Sequence, residues 1–167
     1  MFAQINTSAA NKDNVVMLTR KFGLGAENVI ARIAIAYSLQ SGVKFSPLNV
    51  KDSGGKEYSK NVLFGSNYIL YLSLLCTHYQ IHDTDKDIPR YFKLHLDDGL
   101  ERIAKDVKDN PNLVGYDYLF DRITDGLNSS SDCSKVKCFK PVQKSREYLP
   151  TFVTEPGITR DCTPISP

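Results

Sequence analysis

The sequence has few cysteines, no long apolar run and almost no net charge, and each of these absences excludes something. The cysteines form no CxxC pair, which argues against a disulfide framework and a zinc site; they are Cys76, Cys133, Cys138 and Cys162. No stretch reaches the ~18 apolar residues of a membrane span, and the first residues lack the basic start and apolar run of a signal peptide. We therefore expect a cytoplasmic protein with no metal site and no cofactor.

Charge is distributed unevenly along the chain, although the formal net charge is only +2. Residues 1–60 hold eight Lys/Arg against four Asp/Glu, residues 61–130 hold seven against eleven, and residues 131–167 hold six against four. A basic first third beside an acidic middle is the distribution of a DNA-facing element on an acidic body. Ordinary variation in surface charge explains numbers this small equally well, so both interpretations stay open on charge alone.

Apolar periodicity predicts a mainly α fold that opens with a strand and two helices. Residues 2–7 alternate like a short strand, with Ala3, Ile5 and Thr7 on one face and Phe2, Gln4 and Asn6 on the outward face. Apolar residues recur at helical spacing over residues 9–22, which predicts a helix that Ser8 caps and Gly23 ends. A second helix is predicted over about 26–40.

The rest of the chain predicts an apolar helical bundle and an irregular tail. Residues 42–60 are typical of a loop or hairpin with its turn at Gly54 and Gly55, and 60–65 of a second strand. Further helices are predicted near 66–80, 88–108 and 115–126. The helices at 26–40 and 66–80 are more apolar than a core of this size needs, which predicts an oligomer. We expect a domain over 1–127 and a Ser/Pro-rich tail, extended or partly disordered, over 128–167.

Two stretches of the sequence resemble the DndE family of DNA sulfur-modification proteins. The first is residues 18–34, LTRKFGLGAENVIARIA, which resembles the family's helix, Gly-Leu turn and Arg-Ile-Ala helix. The second is LFG at 63–65, an aromatic-apolar helix, and then LHLDDGL at 94–100. The likeness covers about residues 1–108, and its specificity comes from the order and spacing of the motifs. Residues beyond about 128 depart from the compact family members.

The resemblance implies a fold related to the ribbon-helix-helix DNA binders and a function in DNA phosphorothioation. It implies a non-catalytic accessory subunit that forms a homo-oligomer, a tetramer by family likeness, and prefers nicked duplex DNA. Such a subunit belongs to a complex that replaces a backbone phosphate oxygen with sulfur. Other subunits of that complex carry out the sulfur-activating and ATP-using chemistry.

Basic and polar residues of the first 60 are the candidate DNA contacts, because phosphate neutralisation dominates affinity for duplex DNA. The cations are Lys12, Arg20, Lys21 and Arg32 in the helical pair, with Lys44, Lys51, Lys56 and Lys60 in the segment that follows. On the strand, Gln4 and Asn6 are residue types that bond adenine in bidentate fashion. Residues 25–28 start the second helix and offer backbone N–H groups to a phosphate, although Glu27 competes for the same dipole.

Other interpretations of these residues are weighed beside DNA binding. His82 with Asp83, Asp85 and Asp87 lacks the glycine and distal Glu of a calcium loop, so a solvated acidic loop is expected. His95, beside Asp97 and Asp98, is expected to make a capping or intersubunit contact rather than act as a general base. Two alternative functions remain: a ribbon-helix-helix transcriptional regulator, and an assembly scaffold that does not bind DNA.

Overall fold

The computed structural model describes residues 2–130. The elements are β1 Gln4–Asn6, α1 Ala9–Phe22, α2 Glu27–Gln40, β2 Glu57–Ser59, α3 Lys60–Phe64, a 3-10 turn Gly65–Asn67, α4 Tyr68–Tyr79, α5 Ile88–Asp109 and α6 Gly115–Ser130. The mainly α fold with its initial strand, helix and helix is confirmed. Residues 128–130, the first three of the predicted tail, belong to α6, and the rest of the predicted tail lies outside the described residues. Within residues 2–130, none of the helices combines the length and hydropathy needed to cross a membrane.

The first helix has the bounds that its sequence pattern predicts. It follows Ser8 and ends at Gly23, which has a φ of 60°; glycine adopts this left-handed conformation without a steric penalty. Val15, Leu18 and Phe22 form its buried face. Because these positions recur every three to four residues, they lie on one side of a helix and pack together against the core.

The two short strands β1 and β2 of this chain pair with each other and form a two-stranded ribbon. β1 pairs antiparallel with β2, so that Gln4 lies opposite Ser59, Ile5 opposite Tyr58, and Asn6 opposite Glu57. Ile5 and Tyr58 point inward and are buried. The outward face of the ribbon therefore consists of the two polar pairs.

The strand predicted over residues 60–65 is wrong, because the chain is helical there. The Ser59 hydroxyl accepts a hydrogen bond from the Val62 backbone N–H at 3.3 Å, which caps α3 immediately after β2. Leu63 and Phe64 are both fully buried. Consecutive buried side chains are incompatible with a strand that has one solvent face, and a short helix turns both toward the core.

The centre of the fold is the contact between α2 and α5. At Gly99 on α5, an added Cβ atom would lie 2.0 Å from the backbone oxygen of Ala34 on α2. The two helix backbones therefore touch, and no larger residue fits at this position. Around this contact α5 buries one side along most of its length, including Phe92, Leu96 and Leu100.

The assignment of Phe2 to the outward face of the strand is also wrong. Its ring lies 6.0 Å from the rings of both Tyr68 and Phe92, where α4 and α5 cover this side of the chain. Ala3, assigned to the face shared with Ile5, is exposed. The alternation holds from Gln4 onward, where β1 begins, because only there does pairing with β2 impose the pleat.

Candidate nucleic-acid interface

A buried ion pair fixes the strand and the start of α1 on α5. The Lys93 ammonium donates to the Asp97 carboxylate at 3.1 Å, to the Asn6 backbone oxygen at 2.9 Å and to the Asp52 backbone oxygen at 2.7 Å. Asp97 also accepts from the Ser8 backbone N–H at 2.9 Å. The Lys93 and Asp97 side chains are only 8% and 5% exposed. All three ammonium hydrogens have acceptors, as a buried lysine requires.

A second carboxylate, that of Asp52, attaches the long connection between α2 and β2 to the start of α1. Asp52 Oδ1 accepts from the backbone N–H groups of Ala9 at 2.7 Å and Gly54 at 3.0 Å. These bonds lower the pKa of Asp52 below its ordinary value. The Lys56 backbone N–H donates to Thr7 Oγ1 at 2.8 Å. The N-terminus of α1 is thus already occupied by carboxylates and offers no place for a phosphate.

Two of the candidate cations form ion pairs at the surface. Lys56 lies 3.1 Å from the Glu27 carboxylate, with each side chain 33% exposed. Lys51 pairs with Glu101, at 56% and 43% exposed, and this hydrogen bond raises the pKa of Lys51. Exposed pairs of this kind are typically worth about 1 kcal/mol or less. A phosphate can therefore replace the carboxylate at small cost.

Three further cations make other contacts within the chain. The Lys21 ammonium donates to the Pro111 backbone oxygen. Arg32, half-buried on α2, donates from Nε to the Asn28 backbone oxygen at 3.3 Å. The Lys60 ammonium lies 4.5 Å from the centre of the Tyr68 ring, a cation–π distance.

The remaining cations, Lys12, Arg20 and Lys44, are exposed. Within residues 2–130 these three have no acidic side chain within ion-pair distance. Lys12 and Arg20 are eight residues apart on α1, which separates them by about 12 Å along the axis and about 80° around it. They share the solvent side of this helix.

Lys44 occupies a different part of the surface, beside the C-terminal end of α4. The residues on either side of it are held there: Phe45 N–H donates to the Tyr79 hydroxyl at 3.0 Å, and the His78 ring contacts the Val43 backbone oxygen at 3.0 Å. The structure therefore groups Lys12 with Arg20 and leaves Lys44 separate.

The polar strand residues lie beside a cation that sequence reasoning missed. Gln4 is exposed and Asn6 half-buried, and both line a shallow depression together with Arg90 of α5. Arg90 belongs to the acidic middle of the sequence, and only tertiary packing brings it to the strand. Its guanidinium is paired with Asp87 at 2.7 Å, and the Glu57 carboxylate opposite Asn6 adds negative charge to the ribbon.

The start of α2 differs from that of α1. Ala26 is the N-cap residue and supplies no side-chain hydrogen bond. The Glu27 carboxylate, which competes for the helix dipole, is paired with Lys56. The phosphate site predicted at residues 25–28 thus lies at the N-terminus of α2, where no side chain caps the backbone N–H groups.

His95 belongs to a buried hydrogen-bonded chain within one subunit, rather than to the capping or intersubunit contact predicted for it. Its Nε2 lies 2.9 Å from the Tyr79 hydroxyl and its Nδ1 lies 2.8 Å from Ser38 Oγ. Ser38 in turn donates to Asp98 at 2.6 Å, and Asp98 pairs with Arg102 at 2.7 Å. Since Ser38 donates to Asp98, the ring carries its proton on Nδ1. Burial lowers the pKa of His95 to about 4.

Residues 82–87 form an exposed polar loop in which His82 lies 2.7 Å from the Asp83 carboxylate. Across residues 2–130, no three His, Cys, Asp or Glu side chains are grouped closely enough to hold a metal ion. Three of the four cysteines, Cys133, Cys138 and Cys162, lie outside the described residues.

These features define a mainly α domain that begins with a strand and two helices. Its first helix, α1, exposes the basic side chains of Lys12 and Arg20. Comparison with known families identifies its relatives: the family described as DNA sulphur modification protein DndE matches residues 4–110. The chain belongs to the DndE family.

Two solved structures resemble this fold. DndE from Escherichia coli B7A, involved in DNA phosphorothioation modification, is 20% identical with a TM-score of 0.50. A DndE G21/24K mutant, involved in DNA phosphorothioation, is 22% identical with a TM-score of 0.52. Each comparison covers 62% of this chain and 98% of the other. At such identities the likeness shows the fold alone. No curated protein sequence matches the chain.

Proposed function

We propose that this chain is a non-catalytic accessory subunit of a DNA phosphorothioation complex and binds DNA through exposed cations of its first 60 residues. The single observation that carries the proposal is that Lys12, Arg20 and Lys44 are exposed and have no acidic partner within residues 2–130. Phosphate neutralisation provides most of the affinity for duplex DNA. Cations without a carboxylate partner contribute most to this affinity, because they have no ion pair to break before they bind a phosphate.

The other candidate cations contribute less in this proposal. Lys51 and Lys56 exchange a weak surface ion pair for a phosphate. Lys21, Arg32 and Lys60 have internal contacts to give up, and Gln4 and Asn6 are placed to touch a groove edge. Sequence reading by these two side chains is disfavoured by the nearby Glu57 carboxylate, which repels phosphates.

We also propose self-association, a preference for nicked duplexes and a cytoplasmic location. Apolar side chains on α4 support self-association: Ile69, Leu70 and Leu74 are 67%, 58% and 47% exposed. Exposed apolar groups at this density are typical of subunit contacts. In a homo-oligomer every cation is repeated, so a few per subunit form an extended basic surface along the DNA backbone.

Fluorescence anisotropy on nicked, intact and operator-like duplexes over a salt series tests this function. Each phosphate contact contributes about −0.9 to the slope of log affinity against log salt. The triple variant Lys12→Ala, Arg20→Ala, Lys44→Ala should therefore flatten the slope by about 2.7 per bound subunit if each cation meets one phosphate. The matched control removes three exposed lysines elsewhere, Lys86, Lys105 and Lys108, and should leave the slope unchanged. Circular dichroism checks that both variants fold.

Each alternative function has its own outcome. Strong discrimination between duplex sequences indicates a transcriptional regulator. Absence of binding at moderate salt indicates an assembly scaffold. Binding whose slope is the same in the triple variant and the wild type places the interface elsewhere on the chain.

A further inference from the structure

The outer side of α6 carries an apolar stripe that the rest of the described chain leaves exposed. Tyr116, Phe120, Ile123 and Leu127 are 72%, 67%, 61% and 66% exposed. Their spacing places them within about 60° of the helix circumference and along about 16 Å of its axis. Aligned apolar side chains in contact with water mark an interaction surface rather than scattered surface hydrophobicity.

α6 is firmly attached to the domain by another of its sides. Tyr118 is 1% exposed and stacks on Phe22 of α1 with ring centres 5.2 Å apart. Its hydroxyl donates to Asp106 on α5 at 3.1 Å. At Gly115 an added Cβ atom would lie 2.4 Å from the Phe22 backbone oxygen, so the helix begins in direct backbone contact with α1. The stripe is therefore presented on a fixed platform.

The stripe continues into a recess between α6 and α2. Ile123 and Leu127 line one wall of a groove of about 410 Å³, and Ile33 and Ala36 of α2 line the other. A groove of this size admits one or two apolar side chains of a binding partner. The stripe and the groove together form one continuous apolar surface.

The charge beside the stripe indicates the chemistry of that partner. Asp117 and Asp121 are both exposed, and each lies about 100° around the helix from a stripe residue, Tyr116 and Phe120 respectively. Asp125 is about 160° around the helix from Ile123, so it does not border the stripe, and it pairs with Arg122 at 3.5 Å. Carboxylates repel nucleic acid and anionic lipid surfaces and attract Lys and Arg. Because the stripe is straight and about three turns long, a helix of similar length matches it.

We propose that this surface, the α6 stripe with its acidic flank, docks an amphipathic helix of a partner protein whose apolar side is bordered by Lys and Arg. α6 lies beyond residues 4–110, the range that the family model matches. The inference holds whether or not the chain binds DNA, since none of the candidate DNA contacts lies on α6.

Two labelled synthetic peptides test the proposal against the full-length protein. Both are helical and carry the same leucine stripe, one flanked by lysine and the other by glutamate. Two favourable charge contacts in place of two repulsive ones give the lysine peptide an advantage of about fivefold in anisotropy titrations. Exchanging Asp117 and Asp121 for lysine should reverse the preference.

The apolar part of the surface is tested with Phe120→Ser and Ile123→Ser together, which should abolish binding of the lysine peptide. The matched control is Leu48→Ser with Val62→Ser, which removes two exposed apolar side chains from other parts of the chain and should leave binding unchanged. Light scattering on each protein supplies the oligomeric state.

Three results overturn the proposal. If neither peptide binds, the stripe is already covered within the protein. If the preference does not follow the charges of α6, the acidic flank does not select the partner. If Phe120→Ser and Ile123→Ser instead dissociate an oligomer in light scattering, the occupant is a second copy of this chain.

Discussion

Replacing His95 with glutamine should make the stability of the fold less dependent on pH. The imidazole is fully buried between Tyr79 and Ser38 and accepts from one while donating to the other. A second proton on the ring would oppose the Tyr79 hydroxyl, and it would add a buried charge near Arg102 and His78. The folded state therefore disfavours the protonated form, with Asp98 as the one nearby group that favours it.

The size of the effect follows from the pKa of His95, which burial lowers from 6.5 to about 4. Between these values the unfolded chain binds the proton and the folded chain does not. Stability is thus fully present above about pH 6.5 and declines as the pH falls toward 4. Each pKa unit corresponds to about 1.4 kcal/mol, so at pH 5 the wild type has lost about 2 kcal/mol through this residue.

Urea denaturation followed by circular dichroism at pH 7.5 and pH 5 measures this loss. The wild type should lose about 2 kcal/mol more than His95→Gln over this interval. Titrating carboxylates affect both proteins alike and cancel in the difference. The control is His82→Gln, whose side chain is 80% exposed and which should behave as the wild type. Equal losses in wild type and His95→Gln would refute the assignment of a buried neutral imidazole.

Three substitutions test the packing that positions the site, each by urea denaturation at neutral pH. Asp97→Ala leaves the buried Lys93 ammonium without its counter-charge and should cost about 3–5 kcal/mol; a smaller loss than 1 kcal/mol would contradict the pairing. Gly99→Ala forces a methyl group against Ala34 and should destabilise by at least ~1–3 kcal/mol, whereas an unchanged midpoint would disprove the close contact. Tyr58→Phe should be neutral or stabilising, because that buried hydroxyl has no hydrogen-bond partner in the described range and deleting it removes a desolvation penalty.

The first two helices could be predicted because their signals are local. Val15, Leu18 and Phe22 repeat at helical spacing, and Gly23 ends the first helix where only glycine adopts the required φ without strain. Both kinds of signal lie within a few residues of the structure they determine. Tertiary packing added nothing that conflicted with them.

The short segment around β2 could not be predicted, because tertiary contacts decide its conformation. Residues 60–65 contain Val62, Leu63 and Phe64, a run that suits a buried strand and a buried helix equally well. Pairing of β2 with β1 ends at Ser59, whose hydroxyl then begins α3. The outcome depends on a partner strand more than fifty residues earlier in the chain.

The sequence predicts which cations are available for the candidate interface, but it does not predict which of them pair with acidic side chains. The excess of cations in residues 1–60 is visible in the sequence. The acids that pair with Lys51 and Lys56 are Glu101 and Glu27, and no local pattern connects them. Likewise, nothing in the sequence around Lys93 distinguishes it from a surface lysine, yet its side chain is buried against Asp97.

The long connection between α2 and β2 contains neither helix nor strand, yet it is fastened to the core near both ends. Tyr79 holds it at Phe45, while Lys93 and the backbone of Ala9 hold it at Asp52. Lys44 and Lys51 therefore stand on backbone whose conformational entropy was already lost when the protein folded. An anion that binds either lysine has only that side chain left to order, so binding there costs little free energy of loop immobilisation.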